Sequence, residues 1–189
     1  MDEPNKKEIE KKKVPQVTTF QVPLALGKNK ENIVISTSNS SKTSKEQLIN
    51  QAFKFHSEGN ISKAIKYYQY FINQGFTDHR VLSNYGVILR DLGKLQEAEI
   101  AQRKAIELNP AFENAHYNLG NILKDLGKLQ EAEIAQRKAI ELNPDNANAH
   151  YNLGNILNDL GKFKEAEISQ CKAIELKPDF AAAYHSLSL

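Results

Sequence analysis

Residues 91–110 and 125–144 are the same twenty letters, DLGKLQEAEIAQRKAIELNP, set 34 residues apart. Duplication of so short a unit decides the fold class. A 34-residue helical unit cannot bury its apolar face alone. It must stack on neighbours, and such stacks are open solenoids that offer surface rather than enclosing a reaction pocket. An all-α scaffold that binds other molecules is therefore expected, and an enzyme is not.

The register extends in both directions. HYNLGNIL at 116–123 recurs letter for letter at 150–157. Upstream, Asn84, Tyr85 and Gly86 match Asn118, Leu119 and Gly120, and Gly59, Ala64 and Tyr68 step back 34 residues from Gly93, Ala98 and Gln102. Residues 178–189 restart the unit. The expected organisation is a leader and linker at 1–44 and a repeat domain at 45–189, divided into 45–78, 79–112, 113–146, 147–180 and a partial unit at 181–189.

Within one unit, Ala115, Leu119, Ile122, Leu123 and Leu126 have the spacing of a helix with one buried stripe. Gly127 follows, as a residue able to take the left-handed conformation at a helix C-terminus, and Gly59, Gly93 and Gly161 stand at the same place. A second helix is predicted over 129–142. Its stripe of Leu129, Ala132, Ala135, Ala139 and Leu142 is small where helices must approach closely, Gly120 faces it from the first helix, and Pro144 ends the unit.

The order leucine-glycine, glycine, two alanines seven residues apart, then proline resembles the tetratricopeptide repeat family over residues 45–189. The resemblance implies a right-handed superhelical solenoid of helix-turn-helix repeats that serves as a non-catalytic protein–protein interaction scaffold. Two departures stand out. The family's bulky first-helix aromatic is replaced by His116 and His150, and its second-helix aromatic by Gln102, Gln136 and Gln170. Looser interhelical packing is expected there, and the first repeat, where Tyr68 keeps the aromatic, is expected to pack best.

Composition narrows the class further. The chain is 40% hydrophobic and 25% charged, and no apolar run approaches the roughly 20 residues that span a bilayer. The stretch near 22–26 is too short and wrongly flanked for a signal peptide, so a cytoplasmic location with no membrane span is expected. One cysteine excludes an internal disulfide framework. Residues 1–44 hold eight Lys against five acidic groups, while the repeats are electrically balanced. No nucleic acid is expected, because the repeat charges are interspersed and partly paired, as in Glu99 with Arg103 and Glu133 with Arg137.

The leader reads as a solvated disordered tail, with its Lys6, Lys7, Lys11, Lys12 and Lys13 cluster and a Ser-rich linker at 36–41. Phe20, Val22, Leu24 and Leu26 alternate, and 33–35 is apolar, which suggests a short strand or hairpin docking on a partner or on the solenoid. Pro23 counts against a central strand.

The sharpest functional signal is a column at one first-helix site: Asn50, Asn84, Asn118 and Asn152, then Ser186 in the partial unit. In the family, first helices line a concave groove, and the column resembles the asparagine ladder with which O-linked N-acetylglucosamine transferases hold an extended peptide by its backbone. A side-chain amide can donate to a peptide carbonyl and accept from a peptide N–H at once. Tyr117, Asn121, Tyr151 and Asn155 are expected to flank the column, with Lys124, Asp125, Asn158 and Asp159 beyond them. The competing reading gives the asparagines to the fold, bonding backbone or a neighbouring first helix.

A clamp for a C-terminal carboxylate, another use of such grooves, needs a lysine where Tyr117 and Tyr151 stand. Arg80, Arg90 and Lys124 are too scattered to replace it. The histidines at 56, 79, 116, 150 and 185 have no metal-ligand spacing, and the copied His116 and His150 are expected in the core. No metal, cofactor or catalytic residue is expected. The partner is a protein or peptide. Because the chain stops inside a unit, three readings stay open: imperfect capping by 181–189, self-association through the uncapped C-terminal end, or membership of a longer transferase (glycosyltransferase, sulfotransferase or methyltransferase type) whose substrates the solenoid selects.

Overall fold

Each helix pair turns on a glycine. At Gly127 the backbone takes φ 73°, the left-handed region that costs other residues steric strain, and this brings Lys128 N–H to Leu123 O at 2.8 Å and Gly127 N–H to Lys124 O at 2.9 Å. The same turn recurs at Gly59, Gly93 and Gly161, and Gly75 adds one between the first two pairs. The structure, a computed structural model, describes residues 44–187. The leader, the Ser-rich linker and the strand expected in 1–43 lie outside the described residues.

Among the described residues the chain forms nine helices: α1 Lys45–Ser57, α2 Ile61–Asn73, α3 His79–Asp91, α4 Leu95–Leu108, α5 Glu113–Asp125, α6 Leu129–Leu142, α7 Ala147–Asp159, α8 Phe163–Leu176 and α9 Ala181–Leu187. A capping box opens α1: the Gln47 N–H donates to Ser44 Oγ, and the Ser44 N–H donates to Gln47 Oε1 at 2.9 Å. Asn60, Asp78 and Asn146 cap α2, α3 and α7 with their side chains. Each helix packs on its successor, and α3, α5 and α7 also touch in sequence. This is an all-α repeat solenoid, in which a unit is supported by its immediate neighbours.

The interior follows the expected stripes. Ala132 and Ala135 of α6 pack with Leu119 and Leu123 of α5, Ile122 packs instead with Leu89, Ala98 and Ala101, and Ala139 is buried, as are Ala98, Ala101 and Ala105 of α4 and Ala166, Ser169 and Ala173 of α8. Leu129 and Leu142, at the ends of the α6 stripe, are only half-buried. Between them sits a residue that apolar periodicity passes over: Gln136 is fully buried, as are Gln102 and Gln170. Each fills the space left by a glycine on the paired helix. A Cβ on Gly120 would stand 2.7 Å from Gln136 Cγ and Nε2, and one on Gly154 would stand 2.5 Å from Gln170 Nε2.

In the first repeat Tyr68 replaces that glutamine, fully buried beside Phe53, Tyr85 and His56, with its hydroxyl 3.0 Å from His56 Nδ1. Burial pushes its phenol pKa up to about 12, against a smaller lowering by a hydrogen bond with Asn84. The largest apolar cluster of the solenoid gathers around it.

The copied histidines correct an expectation. His116 and His150 are half-exposed and not in the core, with Nε2 2.9 Å from Pro110 O and Pro144 O respectively. The carbonyl lies just beyond the preceding helix, where no intrahelical N–H reaches it, and an imidazole one turn into the next helix serves as its polar partner.

The outward faces of the second helices carry a repeated apolar residue, with Ile100, Ile134 and Ile168 all more than half exposed. Around them the charges are paired across unit boundaries. Glu99 binds Arg103 of its own helix and Lys128 of the next unit, each at 2.8 Å, and Arg103 reaches on to Glu131 at 2.5 Å. One unit later Glu133 binds Arg137 at 3.0 Å and Lys162 at 2.8 Å, and Arg137 reaches Glu165 at 2.6 Å. Partial burial works against ionisation of Glu99 and Glu133, but their hydrogen bonds to the two cations outweigh it and hold both carboxyls below the ordinary glutamate value.

Candidate functional site

The asparagine column lies on α1, α3, α5 and α7, and three of its members are tied across unit boundaries. Asn152 Nδ2 donates to Asn121 Oδ1 at 2.8 Å, and Asn118 Nδ2 donates to Ser83 Oγ at 3.3 Å. Asn84 shares a hydrogen bond with the Tyr68 hydroxyl. Asn50, on the first helix, is exposed. Two of the amides thus bond a neighbouring first helix, which was the competing reading of the column. Their Oδ1 atoms accept no hydrogen bond among the described residues.

The flanking residues are drawn into the same network by the buried glutamines. Gln136 Nε2 donates to Tyr117 O at 3.2 Å and to Asn121 Oδ1 at 2.8 Å, and Gln170 Nε2 donates to Tyr151 O at 3.3 Å and to Asn155 Oδ1 at 2.9 Å. In the second repeat Gln102 Nε2 donates to Ser83 O at 2.9 Å. Gln136 and Gln170 spend both Nε2 protons inside the fold and Gln102 one, and each Oε1 is buried with no partner among the described residues. The structure therefore joins Asn152, Asn121 and Gln136 in one chain of amides, while Asn50 stands apart. Tyr117 and Tyr151 are half-buried, and the Tyr151 ring packs on Phe180 with centroids 4.9 Å apart.

Charges on this face are also matched between units. Arg90 Nε binds Asp125 Oδ2 at 2.6 Å, and Lys124 Nζ lies 3.4 Å from Asp159 Oδ2. Arg80 is held by both oxygens of Asp78, at 3.1 and 2.9 Å, with Glu46 3.9 Å away. Partial burial opposes ionisation of Asp78, but the Arg80 hydrogen bonds prevail and keep its carboxyl below the usual range. Arg80, Arg90 and Lys124, the cations nearest to a carboxylate-clamp role, are all engaged by acids of the chain itself.

Sequence reasoning missed the glutamines as organisers of this face. Their signal was present: Gly86, Gly120 and Gly154 each stand 16 residues before Gln102, Gln136 and Gln170. A glycine opposite a long amide repeated three times marks a polar side chain laid over bare backbone. Among the described residues, no group of three His, Cys, Asp or Glu side chains is placed to hold a metal ion, and no helix is long and apolar enough to cross a membrane.

Comparison with known proteins yields the following. A family model described as TPR repeat matches residues 86–127 and 120–161, and one described as tetratricopeptide repeat matches residues 147–180. The chain is similar to the crystal structure of YrrB, described as a TPR protein with an unusual peptide-binding site, at 22% identity and a TM-score of 0.70, covering 78% of this chain and 76% of that one. It is similar to the crystal structure of MamA at 28% identity and a TM-score of 0.66, covering 72% and 80%. A tetratricopeptide repeat protein from Parabacteroides merdae matches at 24% identity and a TM-score of 0.66, covering 77% of this chain and 58% of that one. No curated protein matches the sequence.

Proposed function

The chain belongs to the tetratricopeptide repeat family, and from that premise we propose that it is a protein-interaction scaffold whose first-helix face holds an extended peptide or partner segment by its backbone. The observation that carries the proposal is the polarity of the amide column. Asn118 and Asn152 each commit one Nδ2 proton to a neighbouring first helix, at 3.3 and 2.8 Å, and so fix the direction of each amide while leaving Oδ1 available as an acceptor. A row of oriented acceptors suits the N–H groups of an extended chain, and anchoring the donors lowers the ordering cost on binding. Tyr117 and Tyr151, half-buried beside the column, supply flat contact area at its edge. YrrB, similar in fold, is described as having a peptide-binding site.

Paired charges on the face favour recognition of main chain over a terminal carboxylate, since Arg90 and Lys124 are already occupied by Asp125 and Asp159. The test uses a peptide selected against the protein from a library of blocked dodecapeptides. Asn118→Ala combined with Asn152→Ala is expected to weaken it by about tenfold or more, as two lost interactions of roughly 1 kcal/mol each would give, with helicity kept. Affinity within twofold of the parent would refute the groove, as would far tighter binding of the free-acid form of the peptide than of its amide.

A further inference from the structure

The second helices carry a pattern that the groove reading leaves unused. Glu97, Ile100 and Lys104 on α4, Glu131, Ile134 and Lys138 on α6, and Glu165, Ile168 and Lys172 on α8 share one spacing, an acid three residues before the isoleucine and a lysine four after it. That spacing sets all three side chains on one helix face. Copying alone does not account for it. α8 differs from α6 at four positions, Phe163, Lys164, Ser169 and Cys171, and keeps Glu165, Ile168 and Lys172. The first repeat stops the row, with Lys66 at the equivalent place.

Exposure belongs to the position rather than to an edge of the solenoid. Ile134 has complete units before and after it and is 69% exposed, the same as Ile168. Between α6 and α8 a notch of about 470 Å³ carries the apolar surface from Ile168 back to Ile140 and Leu153. Glu131 and Lys138 have partners in their own chain, Arg103 and Glu141, but all four side chains are 40–68% exposed, so these pairs exchange at little cost.

Such a face selects its occupant. A nucleic acid needs one sign of charge, and here acid and base alternate. A two-fold axis that reverses the helix direction brings isoleucine to isoleucine and every acid to a lysine, whereas parallel helices would oppose like charges. The face is therefore complementary to itself.

We propose that the outward face of α4, α6 and α8 binds a second copy of this chain, with the second helices of the two copies antiparallel and Ile134 at the centre. Glu131 of each copy then faces Lys138 of the other. Three helices of about 21 Å, spaced about 10 Å apart, offer roughly 600 Å² per copy, the small end of specific interfaces, so the dimer is reversible. It carries two first-helix faces and holds a bivalent partner more tightly than one copy can.

The test is sedimentation velocity of the full chain from about 1 to 500 µM, the range of weak interfaces. A monomer–dimer equilibrium is expected. Ile134→Lys should weaken it by about tenfold or more with the melting temperature kept, since the change lies on the surface and counts twice in a two-fold contact. Glu131→Lys alone and Lys138→Glu alone should each weaken it by about threefold or more. An equimolar mixture of those two variants should recover the parent affinity, because each altered charge then meets its complement on the other copy. A chain monomeric at every concentration would overturn the proposal. So would association that Ile134→Lys leaves unchanged, which places the contact elsewhere, or a mixture that fails to recover, which denies the antiparallel order. Asn118→Ala with Asn152→Ala should leave the dimer intact, so the groove and the dimer fail separately.

Discussion

Asn152 donates to Asn121 across the boundary between two repeats, at 2.8 Å, and the accepting oxygen also takes a hydrogen bond from buried Gln136 at 2.8 Å. One oxygen therefore links a second helix to two first helices. Replacing Asn121 by Ala strands two donors, one of them fully buried, and should cost about 1–3 kcal/mol. In a double-mutant cycle with Asn152→Ala a coupling of at least about 0.5 kcal/mol is expected in urea unfolding; strict additivity would show that the contact contributes nothing.

Gly120 has no room for a side chain. An added Cβ would meet Gln136 Cγ, Cδ and Nε2 at 2.7–2.8 Å, so Gly120→Ala should destabilise by about 1–3 kcal/mol despite the better helix propensity of alanine. Shortening the opposing side chain, as Gln136→Ala, should make Gly120→Ala far less costly. Unfolding midpoints of the two singles and the double decide it.

The cross-boundary ion pairs make the solenoid acid-sensitive. Glu99 and Glu133 titrate below their ordinary 4.5 when folded, so the stability they add is complete above that value and is lost as the pH falls through their folded values. The melting temperature should drop below about pH 4.5, and Glu133→Gln should show a shallower drop. Parallel curves for parent and variant would contradict this.

Alkali acts through Tyr68. Its phenol stays protonated to about 12 in the fold and to 10.0 in an ordinary setting, so stability is unaffected below 10 and declines as the pH rises from there towards 12. Spectroscopic titration should resolve one tyrosine ionising about two units above the ordinary phenol value. Tyr68→Phe should remove that late step, and a late step that survives the substitution would assign it elsewhere.

The turn at Gly127 adopts φ 73° with open space around the missing Cβ, so Gly127→Ala should cost about 1 kcal/mol through backbone strain alone. An unchanged urea midpoint would show the turn relaxing to another conformation.

Helix limits were legible because the punctuation is local. The second helix expected at 129–142 is Leu129–Leu142 in the structure, set by Gly127 before it and Pro144 after it. Buried alanines were legible for the same reason, since period alone places Ala132, Ala135 and Ala139 on one face. The amide network was not. Asn152 and its acceptor lie 31 residues apart, and Gln136 lies 15 from the same acceptor, so neither bond has a local signature. A glutamine at an apolar site reads as a packing fault until the glycine opposite is seen to make room for it. The histidines misled for a related reason: copying marks His116 and His150 as structural, and burial was inferred from that, but their role is to satisfy a loop carbonyl at the surface.

Because Lys128 meets Glu99 at the same 2.8 Å at which Lys162 meets Glu133, adjoining units present each other with the same partners. Such joints are interchangeable. Crossing-over between the two identical twenty-residue stretches would excise 34 codons in frame and bring Lys162 to Glu99 and Asn152 to Ser83 with the side chains already in place. The gene can thus lengthen or shorten its product by whole units without inventing a new junction, and the reach of the scaffold becomes a heritable dimension open to selection in single steps.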